Sequence, residues 1–162
     1  MDLEAAKARV AAEVDQLAGR LTEVAAEIHA HPELLYEERF AADLLAGELE
    51  AAGLEVQRQA YGLDTAFAAR AGDAHGPTVA VLCEYDALPG IGHGCGHNLI
   101  AAAGLGAGLA AAAVAEQAGG RLTVLGTPAE EGGGGKIRLG IVSLPAIGHR
   151  ELGKSERRLG LP

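Results

Sequence analysis

"TVAVLCEYDALPGIGHGCGHNLIAAAGLGAGLAAAAVA", residues 78–115, changes character twice. It opens with "TVAVLCEYD", a nearly continuous apolar run, as expected of a strand buried on both faces. A Gly-rich loop follows. The chain then reads as a helix from about Asn98 to Ala118, apolar on nearly every side. Gly104, Gly106 and Gly108 have no side chain to hold neighbours away, so this helix is expected to pack tightly on the sheet. A strand feeding a helix through a short loop is the building unit of an α/β fold.

The flanks extend the pattern. Val10, Val14, Leu17, Leu21, Val24 and Ile28 recur at four-three spacing, one apolar stripe of an amphipathic helix. Pro32 ends it, because helical geometry is disfavoured at His31. A second helix is predicted from Tyr36 to Ala52, with Phe40, Leu44, Leu45 and Leu49 inward and Gly53 at its C-terminal stop. "LEVQRQAY", "TAFAARAG" and, after the central helix, "RLTVLGTP" read as further strands. "AEEGGGGKIRL" reads as a loop leading into a helix. The expected class is α/β: a three-layer sandwich on a mixed, largely parallel sheet. The strands at Thr78–Glu84 and Arg121–Thr127 should be buried and adjacent. Residues 1–139 form the expected domain. Residues 140–162 lack a sustained period and read as a divergent, loosely attached tail; positions 150–162 hold four of the 13 Lys and Arg but two of the 22 acids.

Composition narrows the function. Hydrophobic residues make up 49% of the 162, enough for a real core, while aromatics are 3%, so that core is built from Ala, Leu, Val and Ile. The formal charge of -9 argues against nucleic acid, whose phosphates need Lys and Arg. "MDLEAAKARV" lacks a signal-peptide pattern. No apolar run reads as a membrane span; "LIAAAGLGAGLAAAAVA" comes closest and reads as a buried helix. The expected location is cytoplasmic, with Cys83 and Cys95 as thiols. Nucleotide motifs fail on inspection. A P-loop ending at Gly135-Lys136 would need Gly at Glu130 and Ser or Thr at Ile137. A dinucleotide fingerprint from Gly90 or Gly92 ends on Cys95 or His97 instead of Gly.

What remains is a set of metal-binding side chains. In an extended segment alternate residues share a face, so His93, Cys95 and His97 could converge on an ion. A thiolate with an imidazole suits zinc or a similar transition metal. The plain alternative is a Gly-rich turn with incidental histidines. "CEYDALP" places Asp86 at the C-terminal end of one buried strand, and "GTPAEEGGGG" places Glu130 and Glu131 at the end of another. Sites in open α/β sheets form at that edge. Adjacent glutamates can divide the work, one binding metal and the other taking a proton from the attacking water. They could instead simply cap the next helix.

"EYDALPGIGHGCGHN" and "GTPAEEGGGGKI", with "HAHPELLYEE" upstream, resemble the zinc aminoacylase and carboxypeptidase family of metallopeptidases, in its aminobenzoyl-glutamate hydrolase-like and dipeptidase-like amidohydrolase branch. The resemblance spans about residues 10–139. It implies a two-metal catalytic domain that cleaves the amide of an N-acyl amino acid or dipeptide. It makes Cys95 a bridging ligand, His97 and Glu131 metal ligands, Glu130 the general base and Asp86 a residue that orients a ligand; it gives His93 no firm role, and His93 is read as a near-site residue. Zinc is the expected metal, with manganese or cobalt as alternatives. Family members continue into a further ligand histidine, a lid domain that carries the dimer interface, and a last histidine. Here the only later histidine is His149. The resemblance therefore implies a truncated member without its lid and homodimer interface, holding at most one metal, weakly active or inactive alone. A hydrolase with Cys95 as nucleophile is a third reading, and it leaves the paired glutamates unexplained.

Overall fold

The strand–loop–helix unit sets the layout. In the computed structural model, which describes residues 1–73 and 75–143, the chain runs α1 (Leu3–Ala30), α2 (Arg39–Ala51), β1 (Glu55–Arg58), a 3-10 turn (Ala60–Gly62), β2 (Phe67–Gly72), β3 (Thr78–Glu84), α3 (His97–Ala115), β4 (Arg121–Thr127) and α4 (Gly135–Ser143). β3 and β4 pair in parallel, from Thr78 opposite Arg121 to Glu84 opposite Thr127. Their C-terminal ends therefore share one edge, which places the loops after them side by side.

The sheet order is β1-β2-β4-β3. The class is α/β with a mixed sheet, as expected, but parallel pairing is confined to β3 and β4; β1–β2 and β2–β4 are antiparallel. The connections explain this. β1 reaches β2 through a short turn, which can only reverse the chain, whereas β3 reaches β4 through the whole of α3. β3 is also not buried on both faces. Thr78, Val79 and Ala80 are exposed, Val79 by 63%, because β3 is an edge strand of the described sheet. An apolar run reports that a strand meets apolar surroundings, not whether it has a neighbour on each side.

α3 lies in the core, between α1 and the sheet. A Cβ at Gly104 would stand 2.7 Å from both Cys83 Sγ and the Leu82 carbonyl oxygen, and one at Gly108 would stand 2.5 Å from Val124. Gly106, on the opposite side, would meet Leu21 of α1 at 2.6 Å. The glycines thus set two close approaches, helix to sheet and helix to helix. α3 is long and apolar enough to cross a bilayer, but most of it is buried here and it reads as a core helix.

α1 is capped by Asp2, whose side chain accepts the Ala5 N–H at 2.9 Å. Its stripe is fully buried only at Val24 and Ile28, while Val14 is exposed. Arg20 donates to Glu48 and ties α1 to α2. α2 starts at Arg39, not Tyr36, because Tyr36 has φ of 61°, outside the helical range. Across the sheet, Ala60 of the 3-10 turn packs on Ala68 and Leu125, and Leu139 of α4 joins Leu63 and Ala66. Helical segments thus lie on both faces, giving three layers. α4 runs through the expected 139/140 boundary, and residues 144–162, with His149 and most of the expected tail, lie outside the described residues.

The glycine contacts predict an order of mutational effects. Gly104→Ala drives a methyl into backbone and is expected to lose roughly 1–3 kcal/mol of stability. Gly106→Ala meets only the mobile end of Leu21 and gains about 1 kcal/mol of helix propensity, so its net loss should be smaller. Denaturant unfolding of the two variants checks the order.

Candidate metal centre

The chain leaves β3 through Glu84, Tyr85 and Asp86. Tyr85 is buried, and its hydroxyl donates to the Thr65 carbonyl at 2.6 Å. Asp86 is 1% exposed. Its Oδ2 accepts the Glu131 N–H at 2.9 Å, and its backbone carbonyl lies 2.9 Å from His97 Nδ1. Oδ1 lies 3.1 Å from the same Nδ1 but makes no hydrogen bond of good geometry. With Nδ1 donating to the Asp86 carbonyl, Nε2 is the ring nitrogen that faces the site, the arrangement a metal-ligating histidine uses.

Between Asp86 and His97 the backbone does not stay extended. Leu88 bridges Gly92, the Gly96 N–H returns to the His93 carbonyl at 3.1 Å, and Gly92 and Gly96 have φ of 73° and 79°. The turn therefore breaks the alternation of His93, Cys95 and His97, and His93 lies beside the Glu84–His97–Glu130 group and not within it. Its ring is buried and lies 6.2 Å from that of His29. Burial holds its pKa below the ordinary value, as for an imidazole kept neutral. Gly96 takes the left-handed turn that lets His97 begin α3 while pointing at the strand ends.

The glutamates arrive from β4. Thr127 closes that strand by donating to the Cys83 carbonyl at 3.0 Å. Ala129 then adopts φ of 56°, a strained value for a residue with a side chain. A buried carboxylate holds it there: Glu38 accepts the Ala129 N–H at 2.8 Å and the Thr65 hydroxyl at 3.0 Å. Beyond the glutamates, the Tyr36 hydroxyl donates to the Gly133 carbonyl. Glu33 fastens the same segment to α2 by accepting the N–H groups of Phe40 and Ala41 at 2.9 and 3.0 Å. "HPELLYEE" is thus a strap that clamps the glutamate loop on both sides of Glu130 and Glu131.

These elements meet at His97. Its Nε2 lies 3.5 Å from Glu84 Oε2, 3.8 Å from Glu130 Oε2 and 3.8 Å from Glu131 Oε1. One ligand atom each from Glu84, His97 and Glu130 lies within 4.8 Å of the others. Cys95 is exposed, and the neighbouring Glu131 carboxylate, with desolvation and the charges of Asp86 and Glu130, raises its pKa. Cys83 is a buried thiol, pushed up to about 12 by desolvation, and takes no part. Cys95, His97, Glu130, Glu131 and Asp86 are therefore all at one edge of the sheet. Two members were not read from the sequence. Glu84 was absorbed into an apolar strand, although its position two residues before Asp86 puts both on one side of the extended chain. Lys136 Nζ lies 2.6 Å from Glu84 Oε1 and 3.2 Å from Glu130 Oε1, a contact no local pattern announces.

A thiol, an imidazole and three carboxylates, with the imidazole oriented from behind, fit a divalent transition metal. Fold and site together describe an α/β domain with a candidate divalent-metal site at the C-terminal ends of its two parallel strands. Known proteins agree. No protein-family model matches the chain. It is 46% identical over 152 residues to Xaa-Arg dipeptidase of Mus musculus, covering 85% of this chain and 35% of the relative. It is 40% identical over 136 residues to a component of the p-aminobenzoyl-glutamate hydrolase of Escherichia coli, covering 72% and 28%. In fold it matches the YXEP protein of Bacillus subtilis, a dinuclear metal-binding peptidase of the M20 family, with a TM-score of 0.73 at 24% identity, covering 82% of this chain and 41% of that one. The chain belongs to this family of metallopeptidases, in the branch of dipeptidases and aminobenzoyl-glutamate hydrolases. It spans 35% of the length of the dipeptidase and 28% of that of the hydrolase component.

The strap carries a pH signature. Desolvation raises the Glu38 pKa in the fold, against the hydrogen bonds that lower it. A carboxyl raised on folding favours the native state fully below its unfolded pKa, and that contribution is lost as pH rises through the folded value. Glu38→Gln can still accept the Ala129 N–H while removing the charge. Its stability relative to the native chain is therefore expected to improve from pH 4 to pH 7, as read from unfolding curves. Glu38→Ala should instead lose roughly 1–3 kcal/mol at all pH, with the Ala129 N–H left unpaired.

Proposed function

We propose that this chain carries metal-binding residues of a metal-dependent amidohydrolase that cleaves the amide of an N-acyl amino acid or a dipeptide. The observation that carries the reading is His97, whose Nδ1 is held by Asp86 while its Nε2 faces three carboxylates at 3.5 to 3.8 Å. Cys95, His97 and Glu131 would hold the ion, with Glu84 as a further oxygen donor. A bound divalent ion would supply Lewis acidity and a more acidic water. Glu130, less tightly held than Asp86 and one-third exposed, would take the proton from that water and return it to the leaving amine. Asp86 would act from behind by fixing the His97 tautomer and the Glu131 backbone.

Zinc is the favoured ion, because a thiolate and an imidazole suit it better than magnesium or calcium; manganese and cobalt are the alternatives. Two unpaired cysteines suit a reducing compartment, and we place the protein in the cytoplasm on that ground. The Cys95 nucleophile reading loses support, since the acids around the thiol favour its protonated form and a nucleophile needs the thiolate. Among the described residues His97 is the one histidine that faces the carboxylates. We therefore propose that the chain by itself binds one ion and turns substrate over at background level.

Two measurements test this. Zinc titration should show binding to the native chain, weakened in Cys95→Ala and His97→Ala, which remove direct ligands, by at least the roughly 10- to 100-fold that loss of a partner supporting a ligand causes. An amidase assay on N-acyl amino acids should read background for the native chain, with no further loss in Glu130→Ala. Turnover that disappears in Glu130→Ala would show a complete working site and contradict the inactive-alone reading. Zinc binding untouched by either ligand variant would overturn the metal site.

A further inference from the structure

Lys136 stands at the first turn of α4, brought to the site by the four-glycine loop. Its ammonium meets Glu84 Oε1 at 2.6 Å and Glu130 Oε1 at 3.2 Å. The other oxygens of the same two carboxylates, Glu84 Oε2 and Glu130 Oε2, face His97 Nε2. Each carboxylate is therefore divided, one oxygen toward a resident cation and one toward the imidazole. The acids gathered here, Glu84, Asp86, Glu130 and Glu131, repel one another, and burial sharpens that repulsion. Among the described residues at this edge, Lys136 is the cation that offsets it. The lysine is 37% exposed, so it is not locked in by packing and can move aside on its flexible stem.

We propose that Lys136 is the built-in counter-cation of the Glu84–Glu130 pair, and that it sets metal affinity by competing with the incoming ion for Glu84 and by holding its own positive charge beside the site. It keeps the metal-free site assembled, and the ion binds against its charge. This rests on the metal-site reading above. It adds something that reading does not contain: a positive side chain within the donor set that weakens, not strengthens, metal binding. A lysine serving only to hold Glu84 and Glu130 in place would act in the opposite sense, since its loss would scatter the ligands.

The test is a zinc affinity series by competition with a chromogenic chelator, on the native chain, Lys136→Met, Lys136→Gln and Lys136→Arg, each checked for native circular dichroism. Lys136→Gln is included because it can still donate hydrogen bonds to the carboxylates if the methionine variant does not fold. Both neutral variants are expected to bind zinc roughly tenfold or more tightly than the native chain, since like charges a few ångströms apart repel appreciably even at a partly solvated site. Lys136→Arg keeps the charge and should stay within about threefold of native. The melting temperature provides a second readout. The metal-free neutral variants should melt below the metal-free native chain, and saturating zinc should raise them by more. Equal or weaker zinc binding in the folded neutral variants would overturn the competition while leaving the metal site intact. Absence of zinc binding in every protein would overturn the metal site and the competition together.

Discussion

Asp86 ties together three parts of the chain that are remote in sequence. It lies just past the end of β3, receives the Glu131 N–H on its side chain, and receives the His97 ring on its backbone carbonyl. A carboxylate at 1% exposure is costly to leave without partners, and this one is held by groups that face the site. If Asp86 were replaced by an apolar residue, the glutamate loop would lose its anchor to β3, whereas the His97 ring would keep its backbone-carbonyl partner and lose only the carboxylate charge beside it. The parallel pairing of β3 with β4 makes the tie possible, because it delivers both strand ends to one edge.

Around that tie the site is braced from opposite directions. α3 is drawn onto the sheet through its glycine faces, which fixes how near His97 stands to the strand ends. The 32–39 segment clamps the glutamate loop from the far side, at Ala129 through Glu38 and at Gly133 through Tyr36. The strained backbone at Ala129 is thus maintained by a buried hydrogen bond and not by glycine. This is the preorganisation that a metal site needs: ligands placed before the ion arrives, by groups that do not themselves bind it.

The sequence made the framework readable because its signals are local. The apolar run at 78–83, the glycines of α3, the stop at Pro32 and the candidate ligands in "GHGCGHN" each follow from neighbours a few residues away. Contacts across long separations were not readable. Glu38 to Ala129 and Lys136 to Glu84 join residues with no shared period, and Tyr36 looked like a helix start until its positive φ showed it to be part of the strap. The burial of β3 was misjudged for a related reason: hydrophobicity says nothing of how many neighbouring strands the described chain supplies. His93 shows the limit of spacing arguments on glycine-rich backbone. Alternation points side chains to one face only while the chain stays extended, and here the turn from His93 to the left-handed Gly96 bends it.

The central claim is that the loops after β3 and β4 bring Cys95, His97 and the carboxylates around one ion. X-ray absorption at the zinc edge of the zinc-loaded chain reads that donor set directly. One sulfur scatterer at about 2.3 Å, with nitrogen and oxygen scatterers at about 2.0 to 2.2 Å, is the predicted result, and the sulfur shell should vanish in Cys95→Ser. A shell of oxygen and nitrogen alone, unchanged by that substitution, would show that the ion sits elsewhere and would contradict the site described.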